Sequence, residues 1–115
     1  YSQARKFNVN IDDVDKRLGL IHYNNNNFTS SITPLTDYMI HNPDSLDILE
    51  ILADALYNDK KYELSIDAYQ KLYKADSSKI DYLMLVANSY IELNNLSRAK
   101  DTLYKLFLIS LKITI

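Results

Sequence analysis

The side chains that could do chemistry in this 115-residue chain are few in kind and scattered in position. Metal binding needs a cluster of ligands at fixed spacing. The two histidines, His22 and His41, have no such neighbours. Asp12, Asp13 and Asp15 resemble the start of a calcium loop, but no glycine follows and Lys16 and Arg17 intervene. Acids at a helix start, complementing its macrodipole, account for them better. Gly19 is the single glycine, which excludes a glycine-rich phosphate loop. With no cysteine there is neither disulfide nor thiolate chemistry. The serines and threonines have no evident base, and no carboxylate pair sits in an apolar setting that would raise a pKa for acid–base work. The expectation is a protein that is not an enzyme and uses no cofactor or metal.

The composition narrows the class further. Net charge is −2, so no general attraction to nucleic acid or an anionic membrane is expected. No apolar run reaches the length of a membrane span, so direct membrane insertion is not expected. One glycine and two prolines are too few for the turns of an all-β fold. The length corresponds to one domain. The first residue is Tyr1, not methionine, so an excised or processed piece is expected. The compartment stays open: cytoplasmic, or periplasmic if an upstream signal or anchor was removed.

The elements that position these residues are legible in an internal repeat. Leu52, Ala53, Leu56, Tyr62, Ser65, Tyr69 and Leu72 fall on Val86, Ala87, Tyr90, Leu96, Ala99, Leu103 and Leu106 at an offset of 34 residues, with no gap. A weaker third copy runs back to Leu18, Gly19, Phe28, Ser31, Leu35 and Tyr38. Residues 12–45, 46–79 and 80–113 are therefore three copies of one unit, after a leading segment 1–11. A fixed period of this length means stacked supersecondary units, and such stacks bury their apolar faces against one another.

Six helices are expected, near 11–24, 31–41, 45–58, 61–75, 79–93 and 96–110, from apolar residues recurring at helical spacing. Pro34 is tolerated only in a first turn, so the second helix should start near Ser31 to Thr33. Asp44 or Ser45 can cap the third helix. Asn24 to Asn27, Asp76 to Ser78, and Asn94 with Asn95 read as polar turns. Gly19, Ala53 and Ala87 recur where the first helix of each copy meets its partner. Ser65 and Ala99 recur where the second helix approaches the next copy. Axes about 8–10 Å apart leave little room there beyond a methyl group. Tyr62, Tyr69 and Tyr90 occupy repeat-defining core positions.

The period, the helix–turn–helix unit and the small residues at Gly19, Ala53, Ala87, Ser31, Ser65 and Ala99 resemble the tetratricopeptide repeat family. Phe28 and Tyr62 match its aromatic before the second helix, and Pro43 its closing proline. The family's early tryptophan is replaced by Asp15, Leu49 and Leu83. Its late small residue is replaced by Tyr38, Leu72 and Leu106. The resemblance implies an all-α solenoid of three helix–turn–helix repeats and a protein-interaction module, a scaffold or adaptor in complex assembly. The alternative is a regulatory or substrate-positioning appendage of a larger enzyme or of a secretion or assembly complex. RNA binding by helical repeats is a further class, which an acidic groove disfavours.

The resemblance also implies which residues face the concave side. From the second copy these are Asp47, Glu50, Ile51, Asp54, Tyr57 and Asn58; from the third, Asp81, Met84, Leu85, Asn88 and Glu92. The first copy would add Asp13, Lys16, Arg17, Leu20 and Tyr23. The two better copies present five carboxylates and no basic residue, while Lys71, Lys74, Arg98, Lys100 and Lys105 lie on the outward second helices. One subgroup clamps the C-terminal carboxylate of chaperone tails. Here only Lys16 matches that scheme, with Leu20, Ile51, Asp81 and Leu85 at the other positions, so the clamp is rejected. The groove is expected to take a basic or mixed basic–apolar peptide. At the other end, a stripe of Leu103, Leu106, Phe107 and Ser110 is expected to pack on the third pair. Phe107, Leu108, Ile109, Leu111 and Ile113 form an expected apolar edge for a partner or for self-association.

Overall fold

The computed structural model describes residues 10–114, with side chains as far as Lys112. Among the described residues there are six helices and no strand: α1 (Ile11–Asn24), α2 (Phe28–His41), α3 (Leu46–Asn58), α4 (Tyr62–Ala75), α5 (Asp81–Glu92) and α6 (Leu96–Thr114). The fold is all-α, of the helical-repeat solenoid class.

Three turns carry the period in their backbone. Asn26, Lys60 and Asn94, each 34 residues from the next, are the non-glycine residues with positive φ among the described residues, at 61°, 63° and 59°. An α-helix commonly ends in one left-handed residue that turns the chain back on its last carbonyls. After α1 the Asn26 N–H donates to the Tyr23 carbonyl and the Asn27 N–H to the His22 carbonyl. After α5 the Asn94 N–H donates to the Ile91 carbonyl and the Asn95 N–H to the Tyr90 carbonyl. Asparagine tolerates this conformation better than most residues; Lys60 adopts it without that advantage.

Helix α2 begins at Phe28, three residues before the expected start, and Pro34 lies inside it. Proline deprives the carbonyl four residues earlier of its donor. That residue is Ser30, which is exposed, so water can take the place of the missing N–H. Ser45 is the N-cap of α3, as the sequence allows, but its side chain makes no capping hydrogen bond.

The chain divides into two compact units between Asp59 and Lys60. In unit 1, α2 packs on α1 and on α3. The core holds Leu35, Ile48, Leu52 and Leu56, with Leu20, Ile32, Tyr38, Met39 and Ile51 packed against it. Each such buried side chain contributes about 1.5–3 kcal/mol. Gly19 leaves no room for a side chain between α1 and α2: a Cβ there would stand 2.4 Å from Leu35 Cδ2 and 2.5 Å from Leu35 Cγ. Ser31 is fully buried and its hydroxyl donates to the Phe28 carbonyl at 2.7 Å. Asp15 departs from expectation. Rather than a solvated helix-start acid, it is 3% exposed. The repeat register explains its place, since Asp15 aligns with Leu49 and Leu83, both core residues.

In unit 2, α5 packs on α4 and on α6. The buried residues include Ile66, Ala68, Tyr69, Leu72, Tyr82, Leu83, Val86, Ala87 and Ala99. Tyr69 of α4 stacks on Tyr82 of α5, ring centres 5.8 Å apart. Helix α6 differs from expectation in phase. Its covered side is Ala99, Thr102, Leu106 and Ile109, while Leu103, Phe107 and Ser110 are exposed. Buried Ala99 sets that phase, and helical spacing carries it on to 102, 106 and 109. Leu96 and Leu103 align with half-buried Tyr62 and buried Tyr69 yet are exposed.

Candidate functional site

In unit 1 the site expected from the sequence is built on α3. Six of its residues, Ile48, Leu49, Leu52, Ala53, Ala55 and Leu56, are buried. Helical periodicity then turns Asp47, Glu50, Ile51, Asp54, Tyr57 and Asn58 to the other side. Asp47, Glu50 and Asn58 are exposed; Ile51, Asp54 and Tyr57 are half-buried. The row combines carboxylates with an aliphatic and an aromatic side chain.

Helix α1 joins that row. The Tyr23 hydroxyl donates to Asp54 Oδ2 at 2.7 Å. This hydrogen bond to Asp54 is the largest cause pushing the Tyr23 phenol up to about 12, with burial and the charges of Asp54 and Glu50 adding to it. The Tyr23 ring also meets Phe28 edge to face at 5.8 Å. Asp54 is therefore partly committed to holding α1 against α3, which its exposure pattern in the sequence did not announce. Tyr23 was readable as a residue of this face, but its partner, 31 positions away, was not.

The other α1 residues of the expected face are also engaged. Lys16 Nζ lies 5.8 Å above the centre of the Tyr38 ring. Arg17 Nε pairs with Asp13 Oδ2 at 3.0 Å, one helical turn away. Leu20 and Ile51 both pack on the core cluster. The only cation matching the chaperone-clamp scheme thus sits on an aromatic ring.

At the far side of the α1–α2 pair, His41 Nδ1 approaches Asp12 Oδ1 at 3.3 Å, and Asn42 Nδ2 donates to Asp12 Oδ2 at 3.3 Å and to the Tyr38 carbonyl at 3.0 Å. Thr29 Oγ1 donates to Asp59 Oδ1. Among the described residues no group of three or more His, Cys, Asp or Glu could hold a metal ion.

In unit 2 the expected site residues lie on α5. Tyr82, Leu83, Val86, Ala87 and Ser89 are buried, and the Ser89 hydroxyl donates to the Leu85 carbonyl at 2.8 Å. Asp81, Met84, Asn88 and Glu92 are exposed and Leu85 is half-buried. Met84, 51% exposed, is the large apolar side chain of this face.

The apolar edge expected on α6 is distributed unevenly. Phe107, Leu108 and Leu111 are exposed, Ile109 is half-buried, and the Ile113 side chain lies outside the described residues. Tyr104 and Leu103 extend the exposed set. Among the described residues no helix is long and apolar enough to cross a membrane.

The sequence matches no family model and no curated protein. Solved structures of MamA, a helical repeat protein, have the same fold. One MamA point mutant superposes with a TM-score of 0.75 at 18% identity, covering 93% of this chain and 58% of that one. A second MamA mutant gives 0.71 at 19%, covering 82% and 69%. MamA AMB-1 gives 0.73 at 19%, covering 89% and 55%. The chain thus spans 58% of the length of the first of these structures. At such identities the likeness speaks for the fold.

Proposed function

We propose that this chain is a non-enzymatic protein-interaction module, and that it binds a basic or mixed basic–apolar peptide. The observation that carries the proposal is the composition of the α3 face in unit 1. Asp47 and Glu50 are exposed beside half-buried Ile51 and Tyr57, and the row contains no basic residue. Carboxylates select lysine or arginine, and the two apolar side chains give a surface on which an aliphatic neighbour can be desolvated. The α5 face of unit 2 has the same character, with Asp81 and Glu92 around Met84 and Leu85. The helical-repeat fold shared with MamA supports a protein partner over a small substrate.

A peptide alternating lysine and leucine should bind the chain better than one alternating glutamate and leucine. Added salt should weaken that binding, since exposed charges are screened over about 8–10 Å. Asp54 is a poor choice for mutation because it holds Tyr23. Asp47→Asn, Glu50→Gln and Asp81→Asn should each cost about 0.2–1 kcal/mol of binding. Affinity indifferent to all three and to salt, measured by calorimetric titration, would reduce the acids to a solvated face.

A second reading concerns α6. Tyr104, Phe107, Leu108 and Leu111 are 43–63% exposed, and an apolar patch of that kind marks a protein contact. We propose that this face is covered by another protein surface, a second copy of the chain included. Light scattering on the chain and on Leu108→Lys tests it. A monomer whose partner binding ignores Leu108→Lys would rule it out.

A further inference from the structure

We infer that unit 2 carries a separate binding site of opposite charge: a cleft between α4 and α6 that takes an acidic peptide segment. The cleft is open to solvent and has a volume of about 750 Å³. Its lining includes Lys71, Tyr73 and Lys74 of α4, Ser77 just beyond it, Leu83 of α5 and Lys105 of α6. Asp67 is its one carboxylate, so ammonium groups outnumber carboxylates three to one.

This concentration of charge runs against the chain as a whole, which has a net charge of −2. Lys71 and Lys74 are three apart on one helix and so are neighbours on its surface. Lys105 arrives from a different helix, its Nζ 5.2 Å from the centre of the Tyr73 ring. That cation–π contact holds the ammonium over the cleft. Among the described residues none of the three lysines has an ion pair. Like charges gathered in one cleft repel one another, and an anionic occupant would relieve that repulsion.

The size and floor of the cleft decide what kind of anion fits. A volume of this order is far more than a phosphate ion fills. The Tyr73 ring and buried Leu83 supply apolar surface beneath the lysines, and Gln70 supplies an amide able to bond a peptide backbone. A nucleic acid would need many more phosphate contacts than three lysines can make. Carboxylate side chains interspersed with an apolar residue match both the charge and the floor. The inference stands on unit 2 alone and does not depend on the reading of the α3 face.

The test uses the full chain and a fluorescein-labelled peptide alternating glutamate and leucine, followed by fluorescence anisotropy. Lys71→Glu together with Lys74→Glu should weaken its binding about tenfold, two reversed charges at exposed sites. Lys71→Gln with Lys74→Gln should give an intermediate loss, and decides the matter if the charge-reversed chain loses helical circular dichroism. Both double variants should bind a lysine–leucine peptide as the parent does. Unchanged affinity for the glutamate–leucine peptide in the double variants would overturn the inference. So would inorganic phosphate displacing it at equal concentration, or phosphatidylserine vesicles competing as strongly as unlabelled peptide.

Discussion

Unit 1 and unit 2 each pack a central helix between two others, but they fill the contacts with different chemistry. In unit 1, α1 buries Asp15 and Gly19 and no large apolar residue. It is held by the Tyr23–Asp54 hydrogen bond, by Asp12 with His41 and Asn42, and by Lys16 over Tyr38. In unit 2, α4 buries Ile66, Ala68, Tyr69 and Leu72, and Tyr69 stacks on Tyr82. The first repeat is the copy that matches the others least well in sequence. Besides the packing of half-buried Leu20 on the core, its helix has polar ties at places where α4 of unit 2 buries large apolar side chains. A repeat can therefore lose its apolar signature and retain its geometry.

The largest effects should come from crowding the close approaches. Gly19→Ala gains about 0.8–1 kcal/mol of helix propensity. Against this, its Cβ would collide with fully buried Leu35, and overpacking of that kind costs about 1–3 kcal/mol. A net loss is expected, read as a lowered midpoint of thermal unfolding. Ala87→Leu in unit 2 should also cost about 1–3 kcal/mol. A stabilised Gly19→Ala chain would mean that Leu35 swings clear, and that unit 1 is looser than unit 2.

The polar ties are next. Tyr23→Phe should cost about 0.5–1.5 kcal/mol, the range for a typical hydrogen bond, because solvent at this partly exposed site weakens the bond to the Asp54 carboxylate. The pH dependence carries a sign. The folded chain favours the neutral phenol, whose pKa rises from 10.0 to about 12. Its contribution is complete below pH 10 and is lost as pH rises through 12. The difference in stability between the parent chain and Tyr23→Phe should shrink over that window, in chemical denaturation followed by circular dichroism. A difference that grows with alkalinity would remove the tie from the account of unit 1.

The smallest effect belongs to the turn between α3 and α4. Lys60→Asn should stabilise the chain by a fraction of the roughly 1–2 kcal/mol that the left-handed conformation costs, since asparagine tolerates it better than lysine. Asn94→Lys should lose a similar amount. Equal midpoints for all three chains would mean that the turn sequence is immaterial to either unit.

Much of the fold was legible because it is periodic. Ala53, Ala87 and Ala99 are buried where the repeat requires small residues, and α1 runs from Ile11 to Asn24 as its apolar spacing indicates. The start of α2 was not legible, because Pro34 bars an intrahelical bond without saying whether water can replace it. Nor was the burial of Asp15, whose type argues for solvent while its register argues for the core. The phase of α6 is not legible in the sequence because every side of it carries leucine, isoleucine or phenylalanine. The acidic row on α3 is an expectation of the family resemblance, and its residues lie exposed or half-buried on that helix. The pairing of Tyr23 with Asp54 and of Lys16 with Tyr38 was not legible, since such partners are chosen by side-chain reach between helices and leave no trace in local pattern.

The recurrence of one left-handed residue at Asn26, Lys60 and Asn94 bears on how this chain can change length. Excising residues 27–60 would join Asn26 to Lys61 and leave a turn of the same hand ahead of a helix of the same kind. Losing a single residue inside α3 would rotate everything after it by about 100° around the helix. Asp54 and Tyr57 would turn inward and core leucines would turn to water. Length variation compatible with this backbone is therefore quantised, in whole copies or within the turns, and natural variants are expected to differ by gaps of 34 residues far more readily than by gaps of one.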